Sequence, residues 1–273
     1  MPTLRTDGAV VAYTDTGVPQ GRDDAPTVVF GHGLLYSGWM FSAQIEALQS
    51  TYRCIAIDWR GQGASPPAED GRYDMDTLYG DAVAVIEHIG VGPVHYVGLS
   101  MGGFVGMRVG ARRPDLLRSL VLIETSADRE ERVAAIQDKV LTVVYMTVGI
   151  GPVRRSVEKI MIGPAFRKDP ASRPVVQEWM RQIDQTDRRG LRGAILGVAN
   201  RKAIAPEIGA ITAPTLVICG VDDKPTPVKK ARKIAAAIPG ARLELVPDAG
   251  HSSTIERPEA LTALIEKFLA EVD

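Results

Sequence analysis

Gly98-Leu99-Ser100-Met101-Gly102-Gly103 lies where a strand-like run, His95-Tyr96-Val97, gives way to a helix-like one carrying Phe104, Val105 and Met107. A serine with glycines two residues before and two after it, at a strand-to-helix junction, is the nucleophile-elbow pattern. The sharp turn strains the serine backbone, and side chains at the flanking positions would collide. The hydroxyl then stands at the tip of the strand, faced by the positive end of the following helix. A nucleophilic serine needs a base, and the chain has only four histidines. His88 falls mid-helix beside Glu87, and His95 opens the strand before the elbow, at its amino end. His32 sits in Gly31-His32-Gly33 and His251 in Gly250-His251-Ser252, each just after a strand-like run. On position His251 is the preferred base. A carboxylate must fix its tautomer and stabilise the imidazolium. Asp223 is preferred in Gly220-Val221-Asp222-Asp223, with Asp222 holding the turn. Glu124, at the end of Leu120-Val121-Leu122-Ile123, is the rival acid; otherwise it anchors the residues that follow it.

The elements that must carry these residues follow from the apolar pattern. Thr27–Phe30, Tyr52–Ile57, His95–Val97, Leu120–Ile123, Thr215–Cys219 and Leu243–Val246 read as strands. Most are continuous apolar runs without alternation, as expected of parallel strands covered on both faces. Helices are expected over Trp39–Leu48, about Asp76–Ile89 (capped by Asp76 or Thr77), from the elbow to about Arg113, Val228–Ile238 and Glu259–Leu269. Ala9–Tyr13, with a turn around 17–24, suggests an N-terminal hairpin or paired edge strands. Strand and helix alternate except between about 125 and 205, where amphipathic stretches such as Val133, Ile136, Val140 and Val144 recur at helical spacing. That is too long for a connection. The expected architecture is a mostly parallel, doubly wound α/β sheet: core residues 1–124 and 206–273, with a helical cap inserted over 125–205. Active sites in such sheets form at the carboxyl ends of the strands, where Ser100, Asp223, Glu124 and His251 all fall.

Composition sets outer bounds. The chain has 273 residues, 45% hydrophobic and 24% charged, enough for one sizeable core. Lys plus Arg (32) nearly balance Asp plus Glu (33), giving no reason to expect nucleic acid or an acidic membrane surface as partner. No run approaches the ~20 apolar residues of a membrane span, and the N-terminus shows no signal-peptide pattern. Cys54 and Cys219 lie inside apolar strand runs, which suggests buried, reduced thiols and a cytoplasmic protein. No Gly-x-Gly-x-x-Gly follows the first strands and no metal-ligand motif occurs, so neither a cofactor nor a metal is expected.

Five strand-end motifs together resemble the α/β-hydrolase family: Gly31-His32-Gly33, Asp58-Trp59-Arg60-Gly61-Gln62-Gly63, Gly98-Leu99-Ser100-Met101-Gly102-Gly103, Gly220-Val221-Asp222-Asp223 and Gly250-His251. Ser100, Asp223, His251 is that family's order of nucleophile, acid and base. The resemblance runs from about Val28 to Leu269. It implies a serine hydrolase with an oxyanion hole made by the backbone N–H groups of Leu34 and Met101. His32 would then tie its loop, and Asp58 and Arg60 would brace the next turn. A serine nucleophile argues against the family's dehalogenases and epoxide hydrolases. Ser252, where hydroxynitrile lyases commonly carry lysine, argues against that activity too. Cleavage of a small ester or lactone is the expected reaction, with carbon–carbon hydrolysis, a cofactor-free haloperoxidase or perhydrolase, and a non-catalytic small-molecule receptor as alternatives. Leu35, Trp39, Tyr145, Met146, Met161, Phe166 and Trp179 are the bulky candidates for a pocket lining.

Overall fold

The computed structural model describes the backbone of residues 1–273 and all side chains except those of 132–134 and 137–139. The apolar runs form eight strands: β1 Thr3–Thr6, β2 Ala9–Asp15, β3 Thr27–Gly31, β4 Arg53–Asp58, β5 Val94–Leu99, β6 Leu117–Ile123, β7 Thr215–Gly220 and β8 Arg242–Val246. They make one sheet in the order β1-β2-β4-β3-β5-β6-β7-β8. The six strands from β4 to β8 are parallel, and the β1–β2 hairpin joins antiparallel to β4. The hairpin turns at Asp7-Gly8, where Gly8 takes a φ of 73°. It does not turn at 17–24, which instead leads β2 into β3. β1 escaped the sequence reading because Thr3-Leu4-Arg5-Thr6 is half exposed and carries almost no apolar signal.

Unalternated apolar runs occur because both faces of the sheet are covered. Val29, Ile55, Ile57, Tyr96, Leu120, Leu122 and Val217 point to one face, packed by α2 (Met75–Ile89), α3 (Met101–Arg112) and α9 (Val228–Ala237). Val28, Phe30, Cys54, Val97, Val121, Ile123 and Ile218 point to the other, under α1 (Ser42–Leu48) and α11 (Pro258–Val272). α2 starts one residue earlier than expected. Its cap is Asp74, whose carboxylate accepts from the Asp76 and Thr77 N–H groups, so those two residues are capped rather than capping. α10 (Ser253–Glu256) is a single turn before α11.

Between β6 and β7 the chain forms α4 (Arg132–Val148), α5 (Arg154–Met161), α6 (Pro164–Lys168), α7 (Arg173–Gln185) and α8 (Arg188–Ala199). α4 turns inward through Leu141 and Tyr145, whereas Ile136 and Val140 are exposed; the Val133 side chain lies outside the described residues. Among the described residues no helix is long and apolar enough to cross a membrane. Cys54 and Cys219 are free and buried; burial pushes the Cys54 thiol up to about 12.

The strand order reverses beside β3: β4 lies on one side of it and β5 on the other. A crevice must open at the carboxyl ends of β3 and β5, where the two connections leave in opposite directions. Four non-glycine residues take a positive φ, Leu35, Ser100, Glu124 and Asp248, and each follows a strand end on that rim.

Candidate active site

Ser100 connects β5 to α3 with φ 51° and ψ −110°, a conformation side chains rarely adopt. The turn is possible because its neighbours lack side chains. A Cβ on Gly102 would stand 1.9 Å from the Gly31 carbonyl oxygen, and one on Gly98 would stand 2.4 Å from that of Gly102. The turn is pinned by Ser100 N–H donating to Ile123 O (2.8 Å), Gly102 N–H to His32 O (3.1 Å), and the Thr125 hydroxyl to Ser100 O (2.8 Å).

Three strand ends converge on this serine. The Ser100 hydroxyl lies 2.9 Å from His251 Nε2, and His251 Nδ1 lies 2.9 Å from Asp223 Oδ1. A carboxylate only accepts, so Nδ1 carries the proton and Nε2 is left to accept from Ser100. Asp223 is held in turn by Thr226, whose N–H donates to Oδ1 (3.0 Å) and whose hydroxyl donates to Oδ2 (2.6 Å). Burial pushes the Asp223 carboxyl up, but the His251 charge and these hydrogen bonds outweigh it and hold it below its ordinary value. It is therefore a carboxylate at neutral pH. All three residues are buried, Ser100 at 7% exposure.

Glu124 is placed differently. Its Oε2 accepts from the Ser253 N–H at 3.2 Å, and Oε1 has no hydrogen-bond partner among the described residues. It holds the loop after His251, neither the imidazole nor the residues that follow β6. Burial, with Asp223 and Glu256 nearby, raises its carboxyl well above the ordinary range. Asp222 gives its N–H to Ala249 O and stays out of the cluster.

The β3 loop is built around His32. Its Nδ1 bonds Gly33 O (2.7 Å), its Nε2 accepts from the Trp59 N–H (3.1 Å), and its carbonyl accepts from the Trp59 indole (2.9 Å). Burial pushes the imidazole down, which keeps it neutral in this role. Asp58 accepts from the Gly38 and Ala64 N–H groups, and Arg60 forks onto Asp81 at 2.7 Å. Leu35 N–H goes to Gln62 Oε1 (3.0 Å). Among the described residues neither the Leu34 N–H nor the Met101 N–H, the first of α3, donates to another group. Thr226 and Gln62 were missed in the sequence; for Thr226 the spacing of three after Asp223 was the available signal, an Asx-type turn.

An apolar cavity of about 100 Å³ opens beside Leu34, lined by Leu35, Tyr145, Val157, Met161, Leu191 and Ile195 among others. Of the bulky candidates, Leu35, Tyr145 and Met161 line this cavity, and Trp39, Met146, Phe166 and Trp179 lie away from it. Trp179 is fully buried, stacked on Tyr36 at 4.9 Å, with its indole N–H on Leu35 O. Met146 and Phe166 are half-buried, packed against the apolar cluster that includes Tyr145, Met161 and Trp179. Trp39 faces a separate outer cleft of about 340 Å³ with Ser37, Asp58 and Arg181. Apolar bulk drew attention to these positions, and the fold uses it in packing or on the outer cleft.

Known proteins share this fold. A model of the Alpha/beta hydrolase family matches residues 28–264. The chain is 30% identical over 264 residues to "Putative non-heme bromoperoxidase BpoC" of Mycobacterium tuberculosis, covering 96% of this chain and 98% of that one. A thermophilic esterase from Thermogutta terrifontis superposes with a TM-score of 0.88 at 28% identity, over 99% of this chain and 97% of its own. The enol-lactonase from Burkholderia xenovorans LB400 does so with a TM-score of 0.89 at 26% identity, over 98% of this chain and all of its own. With the sheet order, the crevice and the family match agreeing, the chain belongs to the α/β hydrolase family of enzymes.

Proposed function

We propose that this enzyme is a cofactor-free serine hydrolase that cleaves a small ester or lactone through an acyl-enzyme on Ser100. The observation that carries this reading is the pair of 2.9 Å hydrogen bonds running from Asp223 through His251 to Ser100. His251 Nε2 takes the hydroxyl proton as Ser100 Oγ attacks the acyl carbonyl. Asp223 steadies the imidazolium that forms. The carbonyl oxygen becomes an oxyanion, which the free N–H groups of Leu34 and Met101 receive; each such donor typically contributes about 3 kcal/mol. Collapse expels the alkoxide, protonated by His251, and water attacks the acyl-enzyme with His251 again as base.

In this reading residues 125–205 act as the cap. Helices α4, α5, α7 and α8 close the apolar cavity beside Leu34, which suits a short acyl chain. An esterase and an enol-lactonase among the structural neighbours support the substrate class. A fluorophosphonate probe should label Ser100 in the native protein and fail on Ser100→Ala. A panel of esters and lactones should then show turnover that the same substitution abolishes. A folded native protein that takes no label at Ser100 overturns the proposal.

The similarity to a bromoperoxidase favours one second reading. Hydrogen peroxide attacking the acyl-enzyme in place of water would release a peracid, which oxidises bromide. Bromination that needs both a short carboxylic acid and peroxide, and is lost in Ser100→Ala, would establish it.

A further inference from the structure

Glu256 ends the short turn α10, yet its carboxylate does not serve that turn alone. It is 2% exposed. Oε2 accepts from the N–H of Gly250 (2.9 Å) and from the N–H of Gly163 (2.9 Å), and Oε1 accepts from the N–H of Ser252 (3.1 Å). Gly250 and Ser252 flank His251. Gly163 lies 93 residues away, between α5 and α6. One carboxylate therefore holds the backbone on both sides of the base and the backbone of the inserted helical segment.

The surrounding contacts are built for that junction. A Cβ on Gly250 would stand 2.3 Å from the Gly163 nitrogen, so the two main chains touch directly. The Ser252 hydroxyl donates to Met161 O at 2.9 Å and accepts from the Tyr36 hydroxyl at 2.7 Å. Met161 lines the apolar cavity, and Tyr36 belongs to the loop of Leu34 and Leu35. The turn at His251 could be satisfied by any short local acceptor. A side chain that also reaches Gly163 adds to the Ser252–Met161 bond a second, charged tie that fixes where the Met161 wall stands relative to Ser100 and the base.

We propose that Glu256 is a positioning residue which clamps the Met161–Gly163 segment to the His251 loop, so that pocket wall and base keep one register and the enzyme selects acyl groups by length. The assignment of acyl selectivity rests on the serine-hydrolase reading; the clamp itself does not. In Glu256→Gln the side chain keeps its shape, but its amide NH2 must face one of the backbone N–H groups.

The test combines two readouts on the full-length enzyme. Hydrogen exchange across residues 157–168 should accelerate about tenfold or more in Glu256→Gln, as expected for loss of buried charge-assisted bonds. On p-nitrophenyl acetate, butanoate and octanoate, the native preference among chain lengths should flatten by about tenfold, with KM rising more than kcat falls. Thr262→Ala on α11, which loses a bond from Gln44 but touches neither loop, should lower stability without moving either readout. Unchanged exchange at 157–168 overturns the clamp. Faster exchange with an unchanged acyl profile overturns its role in selection. If Glu256→Gln does not fold, Glu256→Asp decides, because it keeps the charge but loses one methylene of the reach that joins the Gly250 and Gly163 N–H groups: unchanged exchange at 157–168 there overturns the clamp, and an unchanged acyl profile overturns its role in selection. A native enzyme with no esterase activity would sink the hydrolase reading and leave the exchange result to judge the clamp.

Discussion

Asp223→Asn is the substitution whose cost can be worked most directly from the geometry. An asparagine can present either its oxygen or its NH2 to His251. If NH2 faced Nδ1, the imidazole would carry its proton on Nε2 and could no longer accept from Ser100. The surroundings forbid that orientation. Asp223 Oδ1 also receives the Thr226 backbone N–H at 3.0 Å, and a backbone N–H cannot reverse its role. The Thr226 hydroxyl at Oδ2 can rotate and accept instead. Asparagine should therefore keep oxygen at the Oδ1 position, preserve the tautomer, and lose only the negative charge opposite the imidazolium. At ~4 Å and an effective dielectric of ~20, that charge is worth about 4 kcal/mol. At 1.36 kcal/mol per decade, kcat should fall about a thousandfold while KM stays within about threefold. The assay is steady-state hydrolysis of p-nitrophenyl acetate, with enzyme concentration set by fluorophosphonate titration. A loss below tenfold would falsify the assignment of Asp223. A loss as complete as that of Ser100→Ala would instead show that the wrong tautomer forms, and the Thr226 argument would be mistaken.

Three further outcomes follow from the same contacts. Gly102→Ala places a methyl 1.9 Å from Gly31 O, backbone against backbone, so the melting temperature should drop by about 10 °C or the protein should fail to accumulate; a variant melting with the native protein would contradict the elbow geometry. Glu124 has a folded-state pKa raised above its ordinary 4.5, so the stability it contributes is full below that pH and lost as pH rises through the folded value. Glu124→Gln should remove this decline, and melting curves from pH 5 to 9 with the same slope for both proteins would refute it. Val157→Phe should fill part of the cavity beside Leu34. Excluding two methylenes at ~0.8 kcal/mol each predicts about a fifteenfold loss of kcat/KM on hexanoate relative to acetate, and equal loss on both esters would remove the cavity from the acyl site.

The candidate residues at the strand ends were legible in the chain because each piece is local. A strand end, a glycine that permits a tight turn and one polar residue occupy four or five consecutive positions, as in Gly98–Gly102 and Gly220–Asp223. The central strands were equally readable, since a sheet covered on both faces demands unbroken apolar runs such as Leu120–Ile123. Where burial is partial the signal fades: β1, half exposed, went unseen, and the α2 cap was displaced by two or three residues because Asp74, Asp76 and Thr77 all suit that role. What the sequence by itself determined is thus which residues stand on the rim of the sheet. Which of them meet was a tertiary decision. Asp223 and Glu124 both follow strands that end near His251, and only the packed sheet turns one carboxylate to Nδ1 and the other to the Ser253 N–H. The pocket wall was decided the same way. Trp179 and Met161 are equally apolar, but one is spent on stacking with Tyr36 while the other faces the cavity. The Glu256 contacts span 93 residues and use only backbone N–H groups of the partner segment, so no side-chain pattern records them.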